Sequence, residues 1–341
     1  FDYELDLFGN NYESLLIEHV QKGEFIGGES VNRFEENLKN YLNTKHIITV
    51  GNGTDALLIS LLSLELERKE VIVPSFSFFA TSEAIVQAGL IPIFVDIDIA
   101  NCNIDVKKIE EKITPNTGAI LPVHLFGNPS NMEKILDIAK KYDLKIVEDV
   151  AQAFGSEIDK KKLGTIGDIG CFSFFPTKTL GAYGDGGAIS TNSDIFAERA
   201  NMYKNHGAKT KYNNEIFGYN SRLDSIQASI LGLKLQKIDQ WIENRVVAGK
   251  YYDAHLKEIE NLNLLENENS TFNYYSILIG RDKRDLLKDY LLNNEVSVAV
   301  YYPKTLPSLP AHNNKESFPV SERASTEILS LPIWPGVKKE Q

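Results

Sequence analysis

The chain has 341 residues, 43% of them hydrophobic and 24% charged, a composition typical of a folded protein with one large domain and an appendage, or with two domains. Its net charge of −11 argues against nucleic acid as a general partner, because such binding depends on a basic surface. It has no apolar run long enough for a bilayer, no signal-peptide pattern at its first residues and only two cysteines, so we expect a cytoplasmic protein without a membrane span or a disulfide framework.

The first predicted element is an amphipathic helix over residues 30–42, whose apolar side chains share one face. From about residue 45 to 195, short apolar runs alternate with helical patterns such as residues 55–64 and 131–142. Runs that are apolar throughout are buried on both faces, so we predict an α/β fold with a mostly parallel central sheet sandwiched by helices. The predicted strands are residues 47–50, 70–74, 91–95, 119–123, 145–148, 171–174 and 188–191.

A different pattern begins near residue 222. One or two long helices are predicted as far as about residue 256, and strand signals at residues 274–279 and 296–302 flank a further helix. This order is typical of a small α+β domain. We therefore predict a large α/β domain over residues 1–221, followed by a long helix and a smaller α+β C-terminal domain over residues 222–341.

Lys178 lies in the most informative stretch, between aromatic residues and a run rich in glycine. Burial lowers the pKa of a lysine and makes its neutral amine available as a nucleophile. Such an amine can form a Schiff base with an aldehyde cofactor. A solvated surface lysine is the alternative. The first interpretation requires a phosphate-binding turn, a carboxylate for a pyridine nitrogen and an aromatic ring that stacks on the cofactor.

Candidates for these three parts follow predicted strands, where open parallel sheets bind their ligands. Gly53 and Thr54 open a helix whose free N–H groups attract phosphate, and the Thr54 hydroxyl is a candidate helix cap. A tight strand-to-helix turn explains this motif as well. Phe78 is a candidate for stacking on a planar ring, and a core cluster of aromatic residues is the alternative.

Two polar residues follow the strand that ends at Glu148. Asp149 is a candidate partner for a protonated pyridine nitrogen, and Gln152, three residues later, is a candidate for the ring oxygen. A helix cap or a buried ion pair is the alternative for this acidic motif.

A cation at a helix start is not favoured by the helix dipole, so Arg222 suggests an anionic partner, with an ion pair to Asp224 or Asp185 as the alternative. His124 and His206 lack metal-ligand spacing, so we expect no metal and regard them only as candidate site liners.

Five segments, in this order, resemble the DegT-like nucleotide-sugar aminotransferases of pyridoxal 5′-phosphate (PLP) fold type I. The resemblance extends over nearly the whole chain, from residue 26 to residue 333. The matching segments are residues 51–57 (Gly-Asn-Gly-Thr-Asp-Ala-Leu), 74–81 (Pro-Ser-Phe-Ser-Phe-Phe-Ala-Thr), 147–152 (Val-Glu-Asp-Val-Ala-Gln), 173–178 (Ser-Phe-Phe-Pro-Thr-Lys) and 219–224 (Tyr-Asn-Ser-Arg-Leu-Asp).

The resemblance implies a role for each matching residue. It implies a Schiff base on Lys178, and it implies that the enzyme is a homodimer in which a neighbouring subunit reaches into the site. The implied cofactor contacts are Asp149 with the pyridine nitrogen, Gln152 with the ring hydroxyl, Phe78 with the ring face, and Gly53, Thr54, Ser173 and the neighbouring subunit's Asn220 with the phosphate.

The resemblance also narrows the reaction. One family branch replaces the lysine with histidine and dehydrates sugars, so Lys178 favours amino transfer. The sequence of residues 174–187 resembles that of family members that aminate C3 of a 3-keto sugar. Members that aminate C4 more often carry Asn-Lys in place of Thr177-Lys178. Residues 332–335 (Pro-Ile-Trp-Pro) depart from C3 members that act on hexuronates, where histidine is expected.

We therefore expect a PLP/PMP enzyme that converts a UDP- or dTDP-linked 3-keto sugar to the 3-amino sugar for a surface glycan such as an O-antigen. L-glutamate is the expected amino donor, and Tyr183 and Arg222 are the expected sugar or diphosphate contacts. Three alternatives remain: a 4-keto-sugar aminotransferase, a PLP enzyme with other chemistry such as dehydration or aldol cleavage, and a non-catalytic PLP-binding regulatory protein.

Overall fold

The structure, a computed structural model, describes residues 2–338. Within this range the helices are α1 (Asp2–Lys22), α2 (Glu29–Leu42), α3 (Gly53–Ser63), α4 (Phe79–Gln87), α5 (Met132–Tyr142), α6 (Asp194–Lys204), α7 (Ser225–Leu235), α8 (Ile238–Leu256), α9 (Arg281–Asn293) and α10 (Pro319–Glu327). The strands are β1 (His46–Val50), β2 (Glu70–Pro74), β3 (Ile91–Val95), β4 (Thr117–Ile120), β5 (Lys145–Asp149), β6 (Glu157–Ile158), β7 (Lys161–Lys162), β8 (Ile169–Ser173), β9 (Gly187–Thr191), β10 (Ala208–Thr210), β11 (Asn213–Asn214), β12 (Leu262–Leu264), β13 (Tyr275–Ile279) and β14 (Ile328–Leu331).

The central sheet has seven strands in the order β1-β9-β8-β5-β4-β2-β3. Only β9 runs against its neighbours, so the predicted mostly parallel sheet is confirmed. All seven predicted strands belong to it, although the strand predicted at residues 119–123 is shifted to Thr117–Ile120. The carboxyl ends of β2, β5 and β8 therefore lie at one edge of the sheet.

Successive side chains of a strand point to opposite faces of the sheet. Both faces of this sheet therefore carry apolar side chains, and helices cover both. Val71 and Val73 pack in the core formed with α3, α4 and α6, whereas Ile72 packs in the core formed with α5. Helices α1, α2 and α7 share a third core with the aromatic residues that surround the end of β8. The predicted sandwich is therefore confirmed.

The C-terminal part contains an antiparallel sheet in the order β12-β13-β14. The strand predicted at residues 296–302 is wrong, because only Ala299 pairs there, in an isolated bridge with Ser330. Val298 and Val300 pack against the small C-terminal core. The alternation of valine with smaller residues there reflects this packing and not strand pairing.

Helix α7 packs against α1 and α2, in the layer that covers the central sheet. The chain beyond residue 222 thus contributes to both parts of the fold, and the two-domain division stays a prediction. No helix within residues 2–338 combines the length and apolar composition that crossing a bilayer requires.

Candidate active site

The turn between β1 and α3 approaches the end of β8 closely. A Cβ atom on Gly53 would lie 2.6 Å from Ser173 Cβ, so only glycine permits this approach. Asn52, and not Thr54, caps α3, since its Oδ1 accepts from Asp55 N over 2.8 Å. The expectation that Thr54 forms the cap is therefore wrong. The cap leaves the first N–H groups of α3 for an anion beside Ser173.

Ser221 ties a distant segment to this turn. Its hydroxyl accepts from Gly51 N over 2.9 Å and donates to Asp55 Oδ2 over 2.6 Å. Asn220 and Arg222 flank Ser221, and both are exposed. Arg222 lies three residues before α7, not in it, and within the described chain it forms no ion pair with Asp185 or Asp224.

Lys178 follows β8 and is only partly exposed. Burial of its amine lowers its pKa to about 8, and the negative charge of Asp149 opposes this effect. The Lys178 Nζ lies 6.0 Å from the ring centroid of Tyr274. At this pKa the neutral fraction of the amine near neutral pH is far larger than that of an ordinary lysine, which suits a nucleophile that condenses with an aldehyde.

Asp149 is buried at the end of β5. Its Oδ2 accepts from Thr81 Oγ1 over 2.9 Å, and its Oδ1 accepts from Ala151 N over 3.1 Å. Burial raises the pKa of Asp149, while these hydrogen bonds and the charge of Lys178 act against that rise. Each carboxylate oxygen retains an acceptor position for a further N–H donor.

The carboxylate of the neighbouring Glu148 is bonded to protein groups instead. Its carboxylate accepts from the backbone N–H groups of Gly164, Ile166 and Gly167 and lies 3.2 Å from His124 Nε2. His124 Nδ1 accepts from Ser130 N, which places the proton of the neutral ring on Nε2. Both acids of this motif are buried, but Glu148 is paired within the protein, whereas the charge of Asp149 acts on the Lys178 amine.

The amide of Gln152 is oriented by protein groups at both ends. Its Oε1 accepts from Phe126 N and its Nε2 donates to the Tyr302 hydroxyl, each over 2.9 Å. The second N–H of this amide remains for another acceptor, such as a ring hydroxyl.

Phe78 presents an open ring face. Its side chain is 56% exposed, and its ring centroid lies 5.9 Å from that of Tyr302. Phe76, two residues earlier, is completely buried. The core-cluster alternative therefore describes Phe76, whereas Phe78 remains available for stacking.

Tyr183 lies in a different environment. Its hydroxyl donates to Glu4 over 2.8 Å, and its ring centroid lies 4.1 Å from Lys234 Nζ. These contacts hold it against α1 and α7, and its contact with a substrate stays a prediction. The sequence predicted no role for Thr81 or Ser221, although both lie in the matching segments, nor for Tyr302, although the paired tyrosines before Pro303 were a visible signal.

These residues fit PLP by their chemistry. The Gly53 turn suits a phosphate, the amine of Lys178 suits an aldehyde, and Asp149 suits a pyridinium nitrogen. Among residues 2–338, no group of three or more histidine, cysteine or acidic side chains is arranged to hold a metal ion.

A family model described as "DegT/DnrJ/EryC1/StrS aminotransferase family" matches residues 9–341. The chain belongs to this family. The family's aminotransferases use PLP, so PLP is the cofactor that the site is built to hold.

Curated relatives extend over almost the whole chain. A "Pleiotropic regulatory protein" of Geobacillus stearothermophilus is 40% identical, over 96% of this chain and 90% of its own length. A dTDP-3-amino-3,6-dideoxy-alpha-D-galactopyranose transaminase of Aneurinibacillus thermoaerophilus is 40% identical, over 94% and 90%. A UDP-N-acetyl-3-dehydro-alpha-D-glucosamine 3-aminotransferase of Acidithiobacillus ferrooxidans is 38% identical, over 94% and 88%.

A solved structure supports the cofactor assignment. The protein ntda of Bacillus subtilis, solved with bound PMP, is 33% identical and superimposes with a TM-score of 0.90 over 97% of this chain and 78% of its own. The PLP fold type I that the sequence predicted for this DegT-family chain is therefore confirmed.

Proposed function

We propose that this aminotransferase converts a UDP- or dTDP-linked 3-keto sugar to the corresponding 3-amino sugar, with L-glutamate as amino donor. The observation that carries the amino-transfer chemistry is the Lys178 amine, whose pKa is lowered to about 8, close to the charge of the buried Asp149. The proposal that amination occurs at C3 rests on the sequence of residues 174–187 and on the names of the A. thermoaerophilus and A. ferrooxidans relatives.

PLP, when bound, supplies an electron sink that acidifies the C–H bond next to the substrate nitrogen. The residues of this chain do the rest. Lys178 would hold the cofactor at its aldehyde carbon, and its amine, when free, would accept a proton from one carbon and return it to another. A pKa near 8 suits both directions, because neither the neutral nor the charged amine is strongly disfavoured near neutral pH.

Asp149 keeps a proton on the pyridine nitrogen by accepting its hydrogen bond as a carboxylate. Gln152 would donate to the ring hydroxyl with the N–H that Tyr302 leaves free, and the exposed ring of Phe78 would stack on the cofactor ring. Gly53 and Ser173, which approach each other closely, would hold the phosphate together with Thr54 and so fix the position of the ring relative to Lys178.

The nucleotide sugar needs cationic and polar contacts. Arg222 is exposed beside the Gly51 turn and forms no ion pair with Asp185 or Asp224 in the described part of the chain, so its charge is open to a diphosphate. We keep Tyr183 as a sugar or diphosphate contact, although its hydroxyl donates to Glu4 in this structure.

We further propose a cytoplasmic homodimer in which Asn220 of one subunit reaches the phosphate bound by the other. Large apolar side chains near Asn220 support an interface, because Phe217 is fully exposed and Tyr212 is 88% exposed. The amino sugar would serve a surface glycan such as an O-antigen.

One alternative function rests on a specific observation. The name of the G. stearothermophilus relative favours a regulatory role, but regulation alone would not require a lysine whose amine is buried and has a lowered pKa. A GDP-perosamine synthase of Vibrio cholerae, 33% identical over 99% of this chain and 95% of its own length, supports the broader group of sugar aminotransferases without fixing C3.

The decisive experiment follows the absorbance of the bound cofactor. Purified protein loaded with PLP should absorb in the visible range, and L-glutamate should shift the band to shorter wavelength with formation of 2-oxoglutarate. Lys178→Ala should show no such coupled change, while Lys140→Ala, at an exposed lysine of α5, should match the wild type. No cofactor band in the wild type, or a normal response of Lys178→Ala, would refute the mechanism.

The sugar is then assigned by turnover. The glutamate-treated protein is mixed with UDP- and dTDP-linked 3-keto and 4-keto hexoses, and the return of the visible band is recorded. Return with a 3-keto sugar alone supports the proposal. Return with a 4-keto sugar alone replaces C3 by C4, and return with neither, despite a normal glutamate reaction, refutes the sugar assignment but not the amino-transfer chemistry.

A further inference from the structure

Two buried hydroxyl groups connect to Asp149 in series. Ser77 Oγ lies 2.9 Å from Thr81 Oγ1, and Thr81 Oγ1 lies 2.9 Å from Asp149 Oδ2. The side chains of all three residues are buried, with at most 4% of each residue exposed. Ser77 belongs to the turn after β2 and Thr81 to the first turns of α4, so neither belongs to the strand that carries Asp149.

The direction of these hydrogen bonds follows from proton counting. An ionised carboxylate can only accept, so the single hydroxyl proton of Thr81 is directed to Asp149. Thr81 Oγ1 then has only lone pairs for Ser77, and Ser77 must donate. Hydrogen bonds aligned in this way strengthen one another, and they favour the charged form of the carboxylate at their end.

The same contacts restrict rotation of the carboxylate. Ala151 N donates to Oδ1 and Thr81 donates to Oδ2, so the plane of the group is fixed at two points. Without the Thr81 hydroxyl, Oδ2 would have no donor among the described residues, and the broad terminal torsion of aspartate would be less restrained. Burial raises the pKa of Asp149, and the hydrogen bond from Thr81 is one of the contacts that oppose this rise.

We propose that Thr81 is a positioning residue that, together with Ser77, orients Asp149 and keeps it ionised for the pyridine nitrogen of PLP. This inference rests on the proposed role of Asp149. The N-terminal end of α4 would then have two roles. Phe78, at the N-cap position of the helix, would stack on the cofactor ring, and Thr81, in the first turn, orients the Asp149 carboxylate.

The test compares Thr81→Val, which keeps the shape and removes the hydroxyl, with Thr81→Ser, which keeps the hydroxyl. Thr191→Val is the matched control, because Thr191 is similarly buried and its hydroxyl donates to Asp168 O, at the end of β8 opposite to Ser173. The measurements are the dissociation constant of PLP from the apoprotein, the pH dependence of the glutamate half-reaction in single turnover, and the melting temperature of each apoprotein.

Loss of a hydrogen bond to a charged group predicts that Thr81→Val weakens PLP binding or slows the half-reaction by about 10- to 100-fold. The pH profile of the half-reaction should also move to higher pH, because Asp149 would need a higher pH to ionise. Thr81→Ser should stay within about threefold of the wild type, and Ser77→Ala, which removes only the second hydroxyl, should lose less than Thr81→Val.

Equal losses in Thr81→Val and Thr191→Val, or in Thr81→Val and Thr81→Ser, would overturn the inference, since neither pattern depends on the Thr81 hydroxyl. If Thr81→Val does not fold, Ser77→Ala decides by the same pH profile. Asp149→Asn separates the two proposals: wild-type behaviour of this variant refutes the role of Asp149 itself, whereas its failure beside a normal Thr81→Val refutes only the role of Thr81.

Discussion

Asn273 Oδ1 accepts two hydrogen bonds from Thr179, one from its backbone N–H over 3.1 Å and one from its hydroxyl over 3.2 Å. Thr179 follows Lys178 directly, and Tyr274, whose ring lies near the Lys178 amine, follows Asn273. The segment that leads into β13 therefore fixes the backbone next to the lysine and supplies an aromatic face beside it. The small C-terminal sheet thus contributes to the geometry of the site.

We predict that Asn273→Ala destabilises the protein by about 1–3 kcal/mol, because it leaves the buried N–H of Thr179 without its acceptor. It should also slow the glutamate half-reaction, since Lys178 loses a fixed neighbour. Urea denaturation and single-turnover absorbance measure the two effects.

The matched control for this prediction is Asn128→Ala. Asn128 is equally buried, but its side-chain amide has no hydrogen-bond partner among the described residues. This variant should lose only packing and keep a normal half-reaction. Equal kinetic losses in the two variants would contradict a specific role for Asn273.

The central sheet could be predicted because its strands are buried on both faces. A run such as Val71–Val73 has no polar residue, so its burial and its length already indicate a strand in a covered parallel sheet. The positions of Asp149 and Lys178 followed from the same logic, since ligands bind where such strands end.

Contacts between distant segments could not be predicted in this way. Thr81 and Asp149 are 68 residues apart, and Asn273 and Thr179 are 94 residues apart. No local pattern of hydrophobicity encodes these pairs, because they depend on how α4 and the C-terminal sheet pack on the central sheet. The false strand at residues 296–302 has a related origin, since the apolar residues there pack on two cores and lack a continuous pairing partner.

Asp96 caps α10 from a distant part of the chain. Its carboxylate accepts from Val320 N over 3.0 Å and from both the backbone N–H and the hydroxyl of Ser321 over 2.8 Å. Burial by itself would raise the pKa of Asp96, but these hydrogen bonds outweigh it and hold the pKa below the usual value of 3.8. The stabilisation is therefore present above pH 4 and disappears as the pH falls through the folded-state pKa.

We predict that Asp96→Ala lowers the free energy of unfolding by about 2–4 kcal/mol at pH 7, since it removes a cap and several charge-assisted hydrogen bonds. The difference from the wild type should shrink at pH 3. Urea denaturation at both pH values checks this, with Asp137→Ala at an exposed position of α5 as the control. A loss that is the same at pH 3 and pH 7 would show that the charge of Asp96 contributes nothing.

The lowered pKa of Lys178 predicts a stability cost in the cofactor-free protein. Burial holds this pKa at about 8 in the folded state, against 10.5 for an ordinary lysine, while Asp149 limits the effect. Between these two values the unfolded chain binds a proton that the folded chain does not, so stability rises with pH across that range. Below pH 8 both states are protonated, and the full cost of burying the charged amine, roughly 3 kcal/mol, is present.

We therefore predict that apoprotein with Lys178→Met is more stable than the wild type at pH 7, by up to roughly 3 kcal/mol, the net cost of burying the charged amine after its attraction to Asp149 is included. The advantage should decline steadily between pH 8 and pH 10.5. Urea denaturation of PLP-free protein at several pH values measures it, and Lys140→Met at an exposed position of α5 should show no such trend. An advantage that is absent at pH 7, or that grows with pH, would mean that the Lys178 amine is solvated and charged like an ordinary surface lysine.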